Sequence, residues 1–269
     1  MSEIKQISSV QNPLIKKINL LKDKSRERKK TGLFILEGLR ELQLALHGKY
    51  TIKSLLFLED LIEIEALIKM FNGNNSPEII SISKAVYQKL AYRETTEGII
   101  AIVESKDHDL SSLNIKNKNP LILVLESPEK PGNIGAMLRT ADAANIDAVI
   151  IADPKSDLYN PNIIRSSVGC VFTNNIAIAS SKEVISFLKE NNIEIFTASL
   201  EASKNYTTID FTGASAITMG TESTGLTSKW IDNSDQNLII PMSGQIDSMN
   251  VSVSAAILIF EAKRQRNFI

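Results

Sequence analysis

Apolar residues recur along this chain with two different periods, and the changes between them mark out alternating strands and helices. Short runs rich in Ile, Leu and Val at residues 34–37, 54–58, 78–82 and 98–103 read as strands. Leu39, Leu42 and Leu46 recur at helical spacing, and residues 62–70 and 84–90 read as further helices. The pattern predicts a compact α/β unit over residues 1–105. Residues 106–120 break it: Asp, Asn, Ser and Lys dominate with almost no periodicity, as expected of a linker. From 121 the alternation restarts, with strands predicted at 121–125, 148–152, 176–178, 193–196, 216–219 and 238–240. Helices are predicted from about Ile134, near Ile163, at 182–190 and at 251–264. Such alternation implies a second domain over 121–269, built on a mostly parallel sheet covered on both faces.

Composition narrows the class. The 269 residues, 43% of them hydrophobic, suffice for two ordinary domains with real cores. The balance of 30 Lys and Arg against 31 Asp and Glu leaves a formal net charge of -1, so the molecule is no polycation that coats nucleic acid indiscriminately. Any RNA-facing surface must be local. Lys16, Lys17, Lys22, Lys24, Arg26, Arg28, Lys29 and Lys30 crowd one short stretch with few acids; the competing reading is an ordinary solvated helix face. The single Cys170 precludes an internal disulfide, and its apolar setting suggests a small buried residue rather than a nucleophile. No apolar stretch approaches the roughly 20 residues needed to span a bilayer, and the first residues lack a signal-peptide core. A cytoplasmic protein with no membrane partner is expected. His47 and His108 lie far apart in sequence, which argues against a histidine-based metal or acid–base centre.

Three segments of the second half carry the candidate chemistry. They are Asn133-Ile-Gly-Ala-Met-Leu-Arg139, Met219-Gly-Thr-Glu-Ser-Thr-Gly225 and Ile240-Pro-Met-Ser-Gly-Gln-Ile-Asp-Ser-Met-Asn250. Each follows a predicted strand. Ligands of parallel α/β sheets bind at the carboxyl ends of the strands, so these loops are expected to converge on one pocket. Two nucleotide-binding patterns come close and fail. Gly220 and Gly225 have the spacing of a phosphate-binding loop, but Leu226 stands where its lysine would be. Gly132 and Gly135 open a helix after a strand, yet the first glycine of the dinucleotide fingerprint is missing. An NTPase and a nucleotide-cofactor oxidoreductase are both disfavoured.

In order and content the three segments resemble the motifs of the SpoU (TrmH-type) RNA ribose 2'-O-methyltransferases. In the first half, Ser9-Val-Gln-Asn-Pro-Leu-Ile, the basic stretch, Phe34 through Glu37-Gly38, and Thr96-Glu-Gly-Ile-Ile resemble the substrate-binding domain that many ribosomal RNA methyltransferases of this family carry. The resemblance implies an α/β fold in which a trefoil-knotted SPOUT methyltransferase domain, one of the rare knotted topologies, follows a small ribosomal-protein-like α/β domain. It further implies S-adenosylmethionine as cofactor, no metal, an active homodimer and an RNA substrate, ribosomal RNA before all others. A tRNA 2'-O-methyltransferase and a catalytically silent RNA-binding or ribosome-assembly protein are the alternatives.

Carried onto this chain, the family's cofactor-binding positions are Gly220, Ile240 and Met249, the last a departure from the usual leucine that conserves volume. A glycine at 220 would let the backbone approach a ligand closely. The catalytic positions are Arg139, Asn133, Glu222, Ser248 and Asn250. A free guanidinium has a pKa above about 12, so Arg139 is read as a fork that grips an RNA phosphate and stabilises a developing alkoxide; the alternative is a surface charge. Asn133 and Asn250 can order a ribose or a loop, and helix capping is both their alternative and a compatible second role. Glu222 is read as orienting Arg139 from the same or the partner subunit, against a plain solvated turn residue. Arg165, in a segment that resembles a family stretch beside the active site, is read as an RNA phosphate contact or a surface ion pair.

Overall fold

The computed structural model describes residues 4–71, 76–92, 97–200, 203–245 and 248–268. Thr96, and Ile246 and Asp247 of the third loop segment, lie outside the described residues. The chain divides into two compact units, one of residues 1–106 with 158–173, the other of residues 107–157 with 174–269.

In the first unit the elements are β1 (Lys5–Ile7), α1 (Pro13–Asp23), α2 (Ser25–Thr31), β2 (Leu33–Glu37), α3 (Leu39–His47), β3 (Ile52–Phe57), α4 (Ile64–Ile68), β4 (Glu78–Ile82), α5 (Lys84–Leu90) and β5 (Ile99–Glu104). Its sheet has the order β1-β4-β3-β5-β2, parallel through β1, β4 and β3 and antiparallel at β5. The α1 helix begins where Asn12 caps the Leu14 N–H and Pro13 presets the first turn. Ile15, Ile18 and Leu21 face inward at helical spacing and are fully buried. Of the eight clustered cations, two belong to the fold itself. Buried Arg28 donates to the Leu21 and Lys22 carbonyls at 2.7 and 3.1 Å, satisfying the end of α1. Lys22 donates to the Leu90 carbonyl at 2.7 Å and lies over the Tyr92 ring, and burial draws its pKa below the ordinary lysine value. Lys16, Lys17, Lys24, Arg26, Lys29 and Lys30 are left exposed.

Residues 158–173 group with this unit, although their position in the sequence assigns them to the second domain. Aromatic packing explains the placement: Tyr159 stacks on Phe34 at 4.2 Å between centroids, Phe172 meets Tyr50 edge-on, and the Tyr159 hydroxyl accepts from the Lys106 N–H. This stretch contains α7 (Pro161–Ser166), whose number follows from the order below.

The second unit comprises β6 (Leu121–Glu126), α6 (Pro131–Ala143), β7 (Ala148–Ala152), β8 (Ile176–Ala179), α8 (Ser181–Glu190), β9 (Glu194–Ala198), β10 (Lys204–Asn205), β11 (Ser215–Met219), α9 (Ser228–Ile231), β12 (Gln236–Ile239) and α10 (Val251–Gln265). Every pairing in the order β10-β12-β9-β11-β6-β7-β8 is parallel. One face buries Ile122, Val124, Ile150 and Ala216 under Val184 and Leu188 of α8 and Trp230 of α9. Alternation turns Leu123, Leu125 and Ile217 to the opposite face, where α10 packs on α6 and β11. Residues 110–115, within the stretch read as a linker, seat Leu110, Leu113 and Ile115 against the core of this unit; their apolar positions are too sparse to show a period. The chain runs β6-β7-β8 in one direction and then crosses to β9 on the other side, so the sheet reverses its winding between β6 and β11. That reversal opens a crevice at the carboxyl ends of the strands.

Candidate functional site

Two adjoining cavities of about 460 and 550 Å³ occupy that end of the second unit, within the range of small-ligand sites. The sequence predicts one pocket; the loop after β11 instead forms a wall shared by two. Ile240 lines the first cavity, together with residues that follow β9. Asn133 and Asn250 line the second, with Glu126 and Lys130. Gly220, Glu222, Ser248 and Met249 border both.

Glu222 ties the three loops together. Its Oε1 accepts from Asn133 Nδ2 and, at 3.0 Å, from Asn250 Nδ2, while Oε2 pairs with Lys130. Asn250 Nδ2 also lies 3.2 Å from Asn133 Oδ1, so the two amides lock to one another. The capping reading of Asn250 holds as well, because its Oδ1 accepts from the Ser252 N–H at 2.9 Å and starts α10. Asn133, by contrast, sits inside the first turn of α6, whose N-cap is Lys130. The Lys130 hydrogen bond is the foremost cause that holds the Glu222 carboxyl below its ordinary pKa; the Asn133 amide and the Val251 N–H act in the same direction, against partial desolvation. A carboxylate with a depressed pKa keeps its network above that pKa and loses it as pH falls through it. Lys130→Met is therefore expected to move the Glu222 midpoint upward, toward the ordinary carboxylate value. Carbon-13 titration of the side-chain carboxyls, assigned with Glu222→Gln, reads this directly; an unmoved midpoint would show that Lys130 does not hold the charge.

Gly220 owes its identity first to the loop. A Cβ there would collide with the backbone of Gly225 and Leu226. The close approach arises because the chain folds back on itself, with Thr221 and Gly225 exchanging backbone hydrogen bonds at 3.0 and 3.1 Å and Gly225 at φ 66°. The sequence alone points to approach to a ligand; the nearer constraint is intramolecular.

Arg139 lies elsewhere. Six residues beyond Asn133 on α6, it projects from a different side of the helix, is exposed, lines neither cavity and has no hydrogen-bond or ion-pair partner among the described residues. Within one chain Glu222 is occupied by Lys130, Asn133 and Asn250 rather than by Arg139. Arg165, exposed on α7 in the first unit, donates to Asn162 Oδ1 at 2.8 Å and lies 5.8 Å from the Tyr92 ring centre. Neither Lys130 nor Glu126 is singled out by sequence reasoning. A lysine just before a helix and a glutamate closing an apolar strand carry no local signal. Among the described residues, no group of three or more His, Cys, Asp or Glu side chains could hold a metal ion, and no helix is long and apolar enough to cross a membrane.

Both halves of the chain match families of known proteins. Residues 120–260 match the SpoU rRNA Methylase family, and residues 12–101 match the MRM3-like substrate binding domain. The 23S rRNA (guanosine(2553)-2'-O)-methyltransferase RlmP of Bacillus subtilis is 27% identical over 263 residues, covering 97% of this chain and 100% of that protein. The 23S rRNA (guanosine-2'-O-)-methyltransferase RlmB of Haemophilus ducreyi is 33% identical over 199 residues, covering 71% of this chain and 80% of that protein. Among solved structures, an RNA 2'-O ribose methyltransferase superposes with a TM-score of 0.83 at 35% identity, covering 97% of this chain and 99% of the other. An AdoMet-bound rRNA methyltransferase from Sinorhizobium meliloti gives 0.89 at 26% identity, covering 97% and 98%. With the family model spanning the whole of the sheet that carries both cavities, the chain belongs to the SpoU rRNA methylase family.

Proposed function

We propose that this protein methylates a ribose 2'-hydroxyl of ribosomal RNA, using S-adenosylmethionine, as a homodimer whose first unit grips the RNA. The observation that carries the reading is the pair of cavities with one shared wall: a cofactor site and a substrate site must adjoin at the atom transferred, and here Gly220, Glu222, Ser248 and Met249 border both. The first cavity suits S-adenosylmethionine. Its volume is adequate, and Leu238, Ile240 and Met249 offer apolar walls beside the main-chain edges of the strand ends. The bound cofactor supplies an electrophilic methyl carbon. On the other side of the wall, Asn133 and Asn250, held by Glu222, present a fixed amide pair that orders the ribose. Glu222, kept ionised by Lys130, is a poor proton acceptor, so its part is orientation. Ser248 borders both cavities and can hydrogen-bond the reacting hydroxyl. Arg139, with no partner among the described residues, can fork onto an RNA phosphate and offset negative charge developing on the nucleophilic oxygen.

The names of the RlmP and RlmB relatives, both 23S rRNA methyltransferases, favour ribosomal RNA over tRNA. The assembled Asn133–Glu222–Asn250 lattice favours an enzyme over a silent binding protein, which has no use for it. A trefoil knot and a cytoplasmic location belong to the same reading, supported by family membership. Comparing 2'-O-methylation maps of total RNA from cells with and without the gene tests it; ribosomal RNA that keeps every methyl group without the gene would defeat it.

The homodimer is supported by α10, where Val253 and Phe260 are 50% and 41% exposed one above the other, with half-buried Ile257 between them. Val253→Glu together with Phe260→Glu is expected to yield a folded monomer with little activity in sedimentation and turnover assays. A parental dimer in that variant would place the contact elsewhere. The RNA-binding role of the first unit is supported by the six exposed cations of its basic stretch. Replacing Arg26, Lys29 and Lys30 by Gln should flatten the dependence of RNA affinity on salt by about 0.7 to 0.9 for each phosphate that is no longer neutralised, with cofactor affinity unchanged.

A further inference from the structure

Glu126, the last residue of β6, is 4% exposed, and its setting is unusual for a carboxylate. Taking such a group out of water is costly unless its lone pairs are filled. Both oxygens serve a single residue 101 positions away: Oε2 accepts the Thr227 N–H at 2.8 Å and Oε1 accepts the Thr227 hydroxyl at 2.7 Å. Thr227 is the N-cap of α9, where a threonine oxygen ordinarily accepts from the helix; here its side chain makes no capping bond and donates to Glu126 instead.

The consequence lies in where the loop begins. Met219 pairs with Leu125 in the β6–β11 ladder, and the next residue of β6 is Glu126. The loop therefore leaves the sheet beside Leu125 and is returned to the neighbouring residue of the same strand, closed into a ring by the Glu126–Thr227 clasp. Within that ring stand Gly220, on the wall of both cavities, and Glu222, the partner of Asn133 and Asn250.

Resting on the function proposed above, we propose that Glu126 is a positioning residue for methyl transfer: by clasping Thr227 it sets the shape of the loop that separates the cofactor cavity from the substrate cavity. Glu126 lines the substrate cavity, but each of its oxygens already accepts from Thr227, so it acts through the loop. The carboxylate meets one N–H and one O–H with two acceptor atoms; glutamine could meet both as well, its Oε1 accepting the N–H and its NH2 donating to the rotatable hydroxyl, so methionine of similar size is the change that removes the clasp.

The test uses the full-length protein. Glu126→Met and Thr227→Val are each expected to weaken S-adenosylhomocysteine binding in calorimetry by about tenfold to a hundredfold, the loss that follows from leaving a buried donor or acceptor unpaired. Turnover on RNA should fall with a rise in KM for the cofactor, while the circular-dichroism spectrum at the assay temperature stays parental. Thr227→Ser, which keeps both donors, should retain parental binding and KM, and the double variant Glu126→Met/Thr227→Val should be little worse than the worse single one, because the two act as a unit. A lowered melting temperature with parental cofactor affinity and KM in variants that are folded at the assay temperature would overturn the proposal and leave Glu126 a purely structural residue. Should Glu126→Met fail to fold, the contrast between Thr227→Val and Thr227→Ser decides the matter alone. A parental protein that binds no S-adenosylhomocysteine would defeat the methyltransferase reading itself, and the positioning role with it.

Discussion

Arg139→Lys is expected to reduce methyl transfer by about a hundredfold to a thousandfold, the loss typical of one preorganised donor at a developing oxyanion, while S-adenosylhomocysteine binding stays parental. The substitution keeps the charge and the approximate length and removes the planar fork that engages a phosphate through two parallel bonds. The Arg139 side chain lines neither cavity and makes no hydrogen bond among the described residues, so a lysine in its place should leave the cofactor site and the fold intact. Single-turnover methylation of a 23S rRNA fragment, measured beside calorimetry with the cofactor product, separates these effects. Turnover at the parental rate would return Arg139 to the status of a surface charge.

Gly220→Val should abolish cofactor binding in a chain that still folds. The reason differs from simple obstruction of a ligand: any Cβ at this position meets the main chain of Gly225 and Leu226, which cannot rotate aside as a side chain would. The loop must open, and it carries Glu222 away from Asn133 and Asn250 as it does so. Overpacking typically costs about 1 to 3 kcal/mol, and a backbone collision on one side of two cavities should exceed that range. Gly213→Ala is the control, since a Cβ at 213 meets nothing within 4 Å. Parental affinity for S-adenosylhomocysteine in a folded Gly220→Val protein would mean that the loop does not shape the cofactor site.

Most strands and helices are legible because burial writes an apolar run, an alternation of two or a period of 3.6 into the residues of each element, whatever it later packs against. The strand predicted at 121–125 and the helix predicted at 182–190 differ from β6 and α8 by a residue at one end. Three helices are not predicted outright: α1 and α2 lie in the basic stretch, where a solvated helix face is only one of two readings, and α9 has four residues. Two strands are missed because they are short. β1 has three residues and β10 two, and neither length can display an alternation. The antiparallel placement of β5 between β3 and β2 leaves no mark on the pattern either, since strand direction is a property of the sheet and not of the run.

The site divides along the same line. Asn133, Glu222, Ser248 and Asn250 are singled out by the resemblance of three short segments to the family's motifs, and the structure brings all four to one cavity. What each does is not written there. Sequence pairs Glu222 with Arg139, but its carboxylate meets Lys130, 92 residues away; it sets Gly220 against a ligand, when the nearest neighbour of Gly220 is its own loop. By itself, the sequence determined the elements, the parallel character of the second sheet and the identity of the polar residues in its loops, because these depend on local periods and on residue type. Only the tertiary structure decided that Glu126 clasps Thr227, that Lys130 neutralises Glu222, and that residues 158–173 join the first unit through Tyr159 and Phe34. Each of these joins groups from about 90 to 125 positions apart in the sequence, and their meeting follows from strand order and aromatic packing, which act after the local elements have formed.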